Sequence, residues 1–280
     1  MSFGDRKDGY RVRDIHGSNK ILIDFKPNRC DAAVYMNETL DVTEFVKKMN
    51  ELKSVNNNLT YFHGLCFLIA KLIYSRPYLN RFVADRKMYM HKEVSLAFTA
   101  KAEFEDESIE YLSLIKFDDN DTINDVSAKV KKKVDIVRSN RHSGGANGAV
   151  DIVGKLPTGI RACVVGILKW MDKKGILPNA IIEDNLYYSS MILSNLGTFK
   201  TSGIYHNLTN FGTSSSLVTI GEIKKCEDGR YRMNIGATLD ERIADGFYMC
   251  KALKLFEQML IRPELLDEAV SVKVKYNKEA

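Results

Sequence analysis

The strongest constraint on the fold is a helix-forming segment that is apolar on nearly every side. Residues 65–73 read Leu-Cys-Phe-Leu-Ile-Ala-Lys-Leu-Ile, Thr60 precedes them as a predicted N-cap, and Pro77 ends the helix. A helix with one apolar stripe can lie on a surface, but an apolar girth like this must be buried nearly all round. The chain therefore has to enclose this helix with other elements.

Strands and helices mix along the rest of the chain. Alternating or short apolar runs predict strands at residues 21–25, 32–36, 81–90, 94–104, 111–117, 187–193, 216–223 and 231–239. Capping residues and apolar spacing predict helices at 41–53, 122–138, 160–173 and 244–261. This mixture favours one α/β domain over residues 21–280, a mixed sheet flanked by helices, behind a loose polar arm at residues 1–20.

Composition excludes several classes of protein. Of 280 residues, 45% are hydrophobic, so the chain can bury a core, and a net charge of +5 is too diluted to indicate nucleic-acid binding. No apolar run approaches the ~20 residues that span a bilayer, and the polar N-terminus lacks a signal-peptide core. Five separated cysteines without a C-x-x-C pair, and no histidine pair at metal-ligand spacing, predict a reduced cytoplasmic protein without a metal.

One strand points to a candidate catalytic carboxylate. Apolar side chains occupy the odd-numbered positions of residues 231–239, so in a strand they all lie on one face. Position 241 is odd as well, so Glu241 would lie on the same face. If the strand persists, Glu241 lies at the end of the buried face, where loss of hydration would raise the pKa of a carboxyl group unless a cation pairs with it. Arg242 falls on the opposite face by this parity, and Asp245 could compete for it. The alternative is a structural salt-bridged corner between strand and helix.

Four ordered motifs carry a family resemblance that runs from about residue 20 to 266. Residues 238–247, Thr-Leu-Asp-Glu-Arg-Ile-Ala-Asp-Gly-Phe, resemble the D-H-R-x-x-D-G signature of the chloramphenicol acetyltransferase-like superfamily, and 262–266 resemble the tail that follows it. Residues 193–199, Leu-Ser-Asn-Leu-Gly-Thr-Phe, are similar to the I-S-N-L-G-x-F motif. Residues 59–80 resemble L-T followed by a helix and F-P-x-x-N, and 41–43 match D-V-T. The likeness is greatest to the catalytic domain of the acyltransferase component of 2-oxo-acid dehydrogenase complexes.

This resemblance implies a coenzyme A-dependent acyltransferase. The family forms trimers with active sites at the subunit interfaces, where coenzyme A and the acyl acceptor enter a channel from opposite ends. A histidine acts as general base and the motif serine stabilises the oxyanion, because the reaction needs a stronger nucleophile and a donor where negative charge develops. By motif position, the resemblance gives Ser194 the role of stabilising the oxyanion. It gives Asp245 the mainly structural role of the motif aspartate.

The sequence departs from the family at the base position. Glu241 stands where the family has histidine, and its unperturbed pKa of ~4.3 against ~6.5 makes it a weak base unless it is buried. A branch of the family without lipoyl domains carries D-E-R at this point. No lipoyl domain precedes residue 20 here, so direct transfer to an unknown thiol or hydroxyl acceptor is expected. The alternative is an inactive trimeric scaffold or a small-molecule binding protein that retains the fold.

Two further features leave alternatives open. A helical segment around 142–186 is inserted relative to the family; it begins with the Gly-rich residues 141–148, which lack the frame of a phosphate loop, and it contains Trp170, the only tryptophan. It could pack in a trimer or in the core, line an acceptor pocket, or contact a membrane or a partner, and this last alternative is the least favoured. His206 could replace Glu241 as base, since an unshifted histidine titrates near neutrality, or it could be an ordinary loop residue.

Overall fold

The computed structural model describes residues 4–101, 110–139, 152–183 and 185–277. Helices in these ranges are α1 (Gly17–Phe25), α2 (Thr43–Val55), α3 (Tyr61–Ser75), α4 (Ile123–Arg138), α5 (Thr158–Lys174), α6 (Asn179–Ile182) and α7 (Gly246–Leu260). Strands are β1 (Gly9–Arg11), β2 (Ala33–Asp41), β3 (Arg81–Ala84), β4 (Lys87–His91), β5 (Ser95–Lys101), β6 (Glu110–Lys116), β7 (Met191–Asn195), β8 (Ser216–Lys225) and β9 (Tyr231–Asp240).

The strands form two sheets, a mixed one of the kind expected and a small second one that the sequence did not predict. The larger is a mixed sheet in the order β2-β9-β8-β7-β5-β6, with the β5–β7 and β7–β8 pairs parallel and the others antiparallel. The smaller is antiparallel, in the order β1-β4-β3. The expected α/β fold with a mixed sheet flanked by helices is therefore confirmed.

The apolar helix α3 lies at the centre of the core. Thr60 caps it by accepting from the backbone N–H of His63 at 3.3 Å, and every residue from His63 to Ile73 is buried. Around it pack α2, α4, α7 and the face of the large sheet that carries Leu193, Ile220 and Ile235. This enclosure explains how an apolar girth becomes stable in water.

The opposite face of the large sheet is crossed by an irregular segment, residues 201–215. Thr219 on β8 accepts from the N–H of Ile204 at 2.8 Å and donates to its carbonyl at 2.5 Å. The segment passes so close to β9 that a Cβ on Gly203 or Gly236 would clash with backbone atoms. Glycine is therefore required at these crossing points.

Several local predictions were wrong. Residues 21–25 belong to α1, a half-buried helix capped by His16, because a five-residue apolar run does not distinguish a strand from a helix. The arm is not loose, since β1 pairs with β4 and Arg6 is buried. Asp41 is not an N-cap; its carboxylate accepts from the N–H and hydroxyl of Thr43, while Val42 holds the cap position.

Other elements differ only in their bounds. The predicted strand 81–90 is a hairpin, because Asp85 and Arg86 turn the chain with φ of 47° and 59°. Helix α5 ends at Gly175, whose φ of 69° is the left-handed conformation that favours glycine. Loop 141–148 lies outside the described residues, as does the start of the insertion. None of the helices in the described ranges is both long and apolar enough to cross a membrane.

Candidate active site

The turn that follows β9 is held by a buried ion pair. Asp240 is the last residue of the strand and is fully buried, and both its oxygens accept from Arg242, at 2.8 and 2.7 Å. Arg242 also donates to the carbonyls of Lys26 and Pro27, at 2.9 and 3.1 Å. Arg242 thus pairs with Asp240 and not with Asp245, and its paired, hydrogen-bonded charge fixes the path of the chain on both sides of Glu241.

Glu241 lies in this turn and not on the buried face that parity predicted, because β9 ends one residue earlier. Its N–H donates to the carbonyl of Ala32 at 2.9 Å, and its carboxylate, 27% exposed, forms an ion pair with Lys26. The carboxylate can therefore be reached from solvent, and it has a cationic partner that the sequence analysis did not identify. Lys26 follows α1, and nothing in its local sequence marks it.

Asp245 caps the helix that follows the turn. It is exposed, and its carboxylate accepts from the N–H of Tyr248 at 2.7 Å, which satisfies a free donor at the first turn of α7. Gly246 is the first helical residue. The position of Asp245 fits the structural role that the resemblance implies for it.

Ser194 is half-buried near the end of β7, far from Glu241 in the same chain. In the sheet register, Ser194 is paired with Thr219 of β8, and Thr219 is paired with Gly236 of β9. Glu241 follows Gly236 by five residues. At about 3.3 Å per residue and about 4.8 Å between strands, Ser194 and Glu241 are roughly 20 Å apart. The serine hydroxyl makes no hydrogen bond to any residue in the described ranges. One subunit therefore cannot bring both side chains to the same reacting carbonyl group.

His206 lies on the segment that crosses the sheet. Its backbone N–H donates to the Thr238 hydroxyl at 3.3 Å, while its ring is exposed, with Nδ1 3.1 Å from the Asn207 carbonyl. Because Ile204 on the same segment bonds to Thr219, the neighbour of Ser194, the structure places His206 on the sheet face of Ser194. It does not place His206 beside Glu241.

Arg29 is a buried residue that the sequence analysis missed. Its guanidinium donates to the carbonyls of Thr209 and Gly212, at 2.7 and 2.8 Å, and its Nε lies 4.0 Å from Asp240. Burial lowers the pKa of Arg29 to about 10, although the charge of Asp240 opposes the shift. Arg29 thereby ties the crossing segment to the turn that carries Glu241. Its sequence context gives no signal, because its partners lie about 180 residues away.

An apolar pocket of about 60 Å³ lies between the large sheet and helices α3 and α7. Its lining includes Met36, Leu79, Val218, Ile235, Leu239 and Met249. Leu239 and Met249 flank the Glu241 turn in sequence, and the exposed Glu38 lies at the pocket, on the edge strand β2. A lining of this kind suits an aliphatic group and not a charged one.

Two arginines near the start of α7 are not matched by acidic residues. Arg81 is 8% exposed and stacks on Tyr78, with 3.3 Å from its guanidinium carbon to the ring centre; Arg76 stacks in the same way on Tyr248 at 3.7 Å. Neither forms an ion pair within the described residues, and the Nε atoms of both are buried without a hydrogen-bond partner. A buried cation without a counter-charge is costly, so this cluster is suited to hold an anion.

No group of three or more potential metal ligands occurs within the described ranges. All five cysteines are unpaired. The side chains of Glu241, Ser194 and His206 could support proton transfer and hydrogen bonding.

A scan against protein-family models and a search of curated protein sequences gave no match. Solved structures do match. The chain is similar to a probable dihydrolipoamide acetyltransferase from Listeria monocytogenes 4b F2365, with 15% identity and a TM-score of 0.59 over 91% of this chain and 95% of that one. It is similar to the cubic core of the pyruvate dehydrogenase multienzyme complex, with 13% identity and a TM-score of 0.59 over 91% and 93% of the two chains.

Chloramphenicol acetyltransferase is also similar, with 11% identity and a TM-score of 0.55 over 91% of this chain and 99% of that one. At such low identities the likeness establishes the fold. The chain has the chloramphenicol acetyltransferase-like fold that its four motifs predict.

Proposed function

We propose that the protein is a coenzyme A-dependent acyltransferase that transfers an acyl group directly to a thiol or hydroxyl acceptor. The observation that carries the proposal is the Glu241 turn. It is rigidly built by Asp240 and Arg242, it presents a solvent-accessible carboxylate, and it stands at the motif position of the base in a fold shared with acyltransferase cores.

Glu241 and Ser194 have complementary roles in this reaction. The Glu241 carboxylate accepts the proton of the acceptor S–H or O–H as its sulfur or oxygen bonds to the thioester carbonyl carbon. The Ser194 hydroxyl donates to the oxyanion of the tetrahedral intermediate. When the carbon–sulfur bond of the thioester breaks, the proton passes from Glu241 to the leaving thiolate, so the enzyme returns to its starting state. Asp245 positions the turn by capping α7.

Two features of the site support an acyl-coenzyme A donor. The cluster of Arg76 and Arg81 could hold a phosphate of coenzyme A, which would supply the missing counter-charge. The apolar pocket beside Leu239 could hold a short aliphatic acyl group.

The separation of Ser194 and Glu241 supports a homo-oligomer with sites between subunits. A distance of roughly 20 Å is far beyond the ~3 Å reach of each group, so the two roles fall to neighbouring copies. We propose a homotrimer, alone or within a larger shell, and one of the similar structures is a cubic core. Unpaired cysteines fit a reducing, cytoplasmic location.

The test is an assay of acetyl transfer from acetyl-coenzyme A to small thiol and hydroxyl acceptors. The rate is measured as the release of free coenzyme A. Ser194→Ala is expected to lower kcat by about 10²–10³, and Glu241→Gln to lower it at least as far. Ser54→Ala and Glu257→Gln, both exposed on helices, are matched controls and should keep full activity. Equal rates for Glu241→Gln and wild type would remove Glu241 as base, and His206→Gln would then be the next variant to measure.

The ion pair with Lys26 favours a second candidate, a non-catalytic scaffold or small-molecule binding protein. The Lys26 Nζ lies against Oε1 of Glu241 and so occupies an oxygen that a general base would need for the proton of the acceptor. Thermal unfolding with and without coenzyme A separates the two proposals. A saturable rise in Tm supports the transferase, and no rise at millimolar coenzyme A supports the scaffold.

A further inference from the structure

Helix α5, in the inserted segment, projects an unusual surface. All of its seventeen residues are described, and Asp172 is the buried one among them. Ile160, Ile167 and Trp170 are 56%, 53% and 56% exposed, and Cys163 is exposed as well. These residues are spaced by 3, 4 and 3, so they form one continuous apolar stripe along the outer side of the helix.

The exposed charges of α5 all have the same sign. Arg161, Lys169, Lys173 and Lys174 are exposed, whereas the one acidic residue, Asp172, is withdrawn into the protein. On the helical projection, Lys169 and Lys173 flank the apolar stripe on one side and Lys174 lies at its C-terminal end, whereas Arg161 lies on the side of Leu168, away from the stripe. An apolar stripe beside a row of cations is typical of helices that lie in the surface of an anionic bilayer.

The C-terminal end of α5 is anchored to the rest of the domain by hydrogen bonds and ion pairs. The Asp172 carboxylate accepts from the Tyr188 hydroxyl at 2.7 Å and from the N–H of Gly212 at 2.9 Å, and Arg6 donates to the Asp172 carbonyl at 2.7 Å. Lys174 reaches Asp85 at 3.3 Å. The helix is thus fixed to the domain at one end while its stripe faces outward.

We infer that α5 docks the protein on an anionic phospholipid surface, with Ile160, Ile167 and Trp170 entering the headgroup boundary. The helix is too charged to cross the bilayer, so it lies in the plane of the surface. Pairing of two copies through this stripe is disfavoured, because it would bring the three lysines beside the stripe of one helix, Lys169, Lys173 and Lys174, towards those of the other. This inference is independent of the acyl-transfer reaction and holds for an inactive protein as well.

Trp170 is the only tryptophan, so its fluorescence reports on the stripe without labelling. Vesicles of equal parts phosphatidylcholine and phosphatidylglycerol are expected to shift its emission to shorter wavelength and to shield it from iodide. Vesicles of phosphatidylcholine alone should do neither, and added salt should reverse the binding. Absence of a shift with the anionic vesicles overturns the inference.

Variants separate the apolar and cationic contributions. Ile167→Glu should abolish binding, whereas Ile21→Glu, at a position of similar exposure on α1 (55% against 53%), should bind as wild type. Lys169→Gln should weaken binding about fivefold, and its control Lys132→Gln, on the exposed face of α4, should not. Lys169→Gln keeps the test valid if Ile167→Glu fails to fold.

The competing occupant of this stripe is a second copy of the chain. In that case Ile167→Glu would reduce the oligomer size in solution while Lys169→Gln left vesicle binding unchanged. That combination would overturn the inference and assign the stripe to an interface between copies.

Discussion

The buried His91 makes the protein sensitive to mild acid. Its Nε2 lies 2.9 Å from the Thr213 hydroxyl and its Nδ1 3.3 Å from Oδ1 of Asn80, so the neutral ring donates to one and accepts from the other. Burial lowers the pKa of His91 to about 4; the charges of Arg6 and Arg29 act in the same direction and Asp8 opposes them.

The size of the effect follows from linkage. The unfolded chain binds a proton at this site with a pKa of ~6.5, whereas the folded chain binds it near pH 4, so the unfolded state gains protons first as the pH falls. Above about pH 7, the titration of His91 therefore leaves the free energy of unfolding unchanged. Between pH 7 and 5 it lowers the free energy of unfolding by about 2 kcal/mol. The loss levels off below pH 4, where both states are protonated.

The assay is urea unfolding of wild type and His91→Gln at pH 7, 6 and 5. Glutamine cannot titrate, so the variant should lose about 2 kcal/mol less than wild type over this range, whatever its stability at pH 7. His206→Gln, at a histidine with an exposed ring that caps no helix, is the matched control and should follow wild type. Equal losses in wild type and His91→Gln would refute the reasoning.

Two further substitutions test the Glu241 turn. Asp240→Asn should lower the free energy of unfolding in urea by about 3–5 kcal/mol, because it leaves Arg242 and Arg29 buried without their counter-charge. A decrease of less than about 1 kcal/mol would contradict this role of Asp240. Lys26→Met should lower the free energy of unfolding by under about 1 kcal/mol, because its ion pair with Glu241 is partly exposed; a loss above about 2 kcal/mol would contradict this weak contribution.

The sequence carries most of the fold because its signals are local. The cap at Thr60, the apolar spacing along residues 122–138, and the alternation in β9 each specify an element from neighbouring residues, and the structure forms all of them. The short run at residues 21–25 failed because helix and strand periods cannot be separated over five residues.

The site was only partly predictable because its geometry depends on distant residues. The motif positions located Glu241, Ser194 and Asp245, but parity misplaced Glu241 once the strand ended at Asp240. Lys26 reaches Glu241 across more than two hundred residues of chain, and no periodicity encodes such a contact. The separation of Ser194 from Glu241 likewise appears only when the strands are in register.

The most direct test of the proposed interfacial transferase is complementation between two inactive variants. Ser194→Ala and Glu241→Gln are each expected to lose acetyl transfer as homo-oligomers. When they are unfolded, mixed in equal amounts and refolded together, about a quarter of the interfaces should combine an intact Ser194 with an intact Glu241, and about a quarter of the wild-type rate should return. Activity in the mixture no higher than in the parent variants, with mixed oligomers verified, would contradict a site shared between subunits.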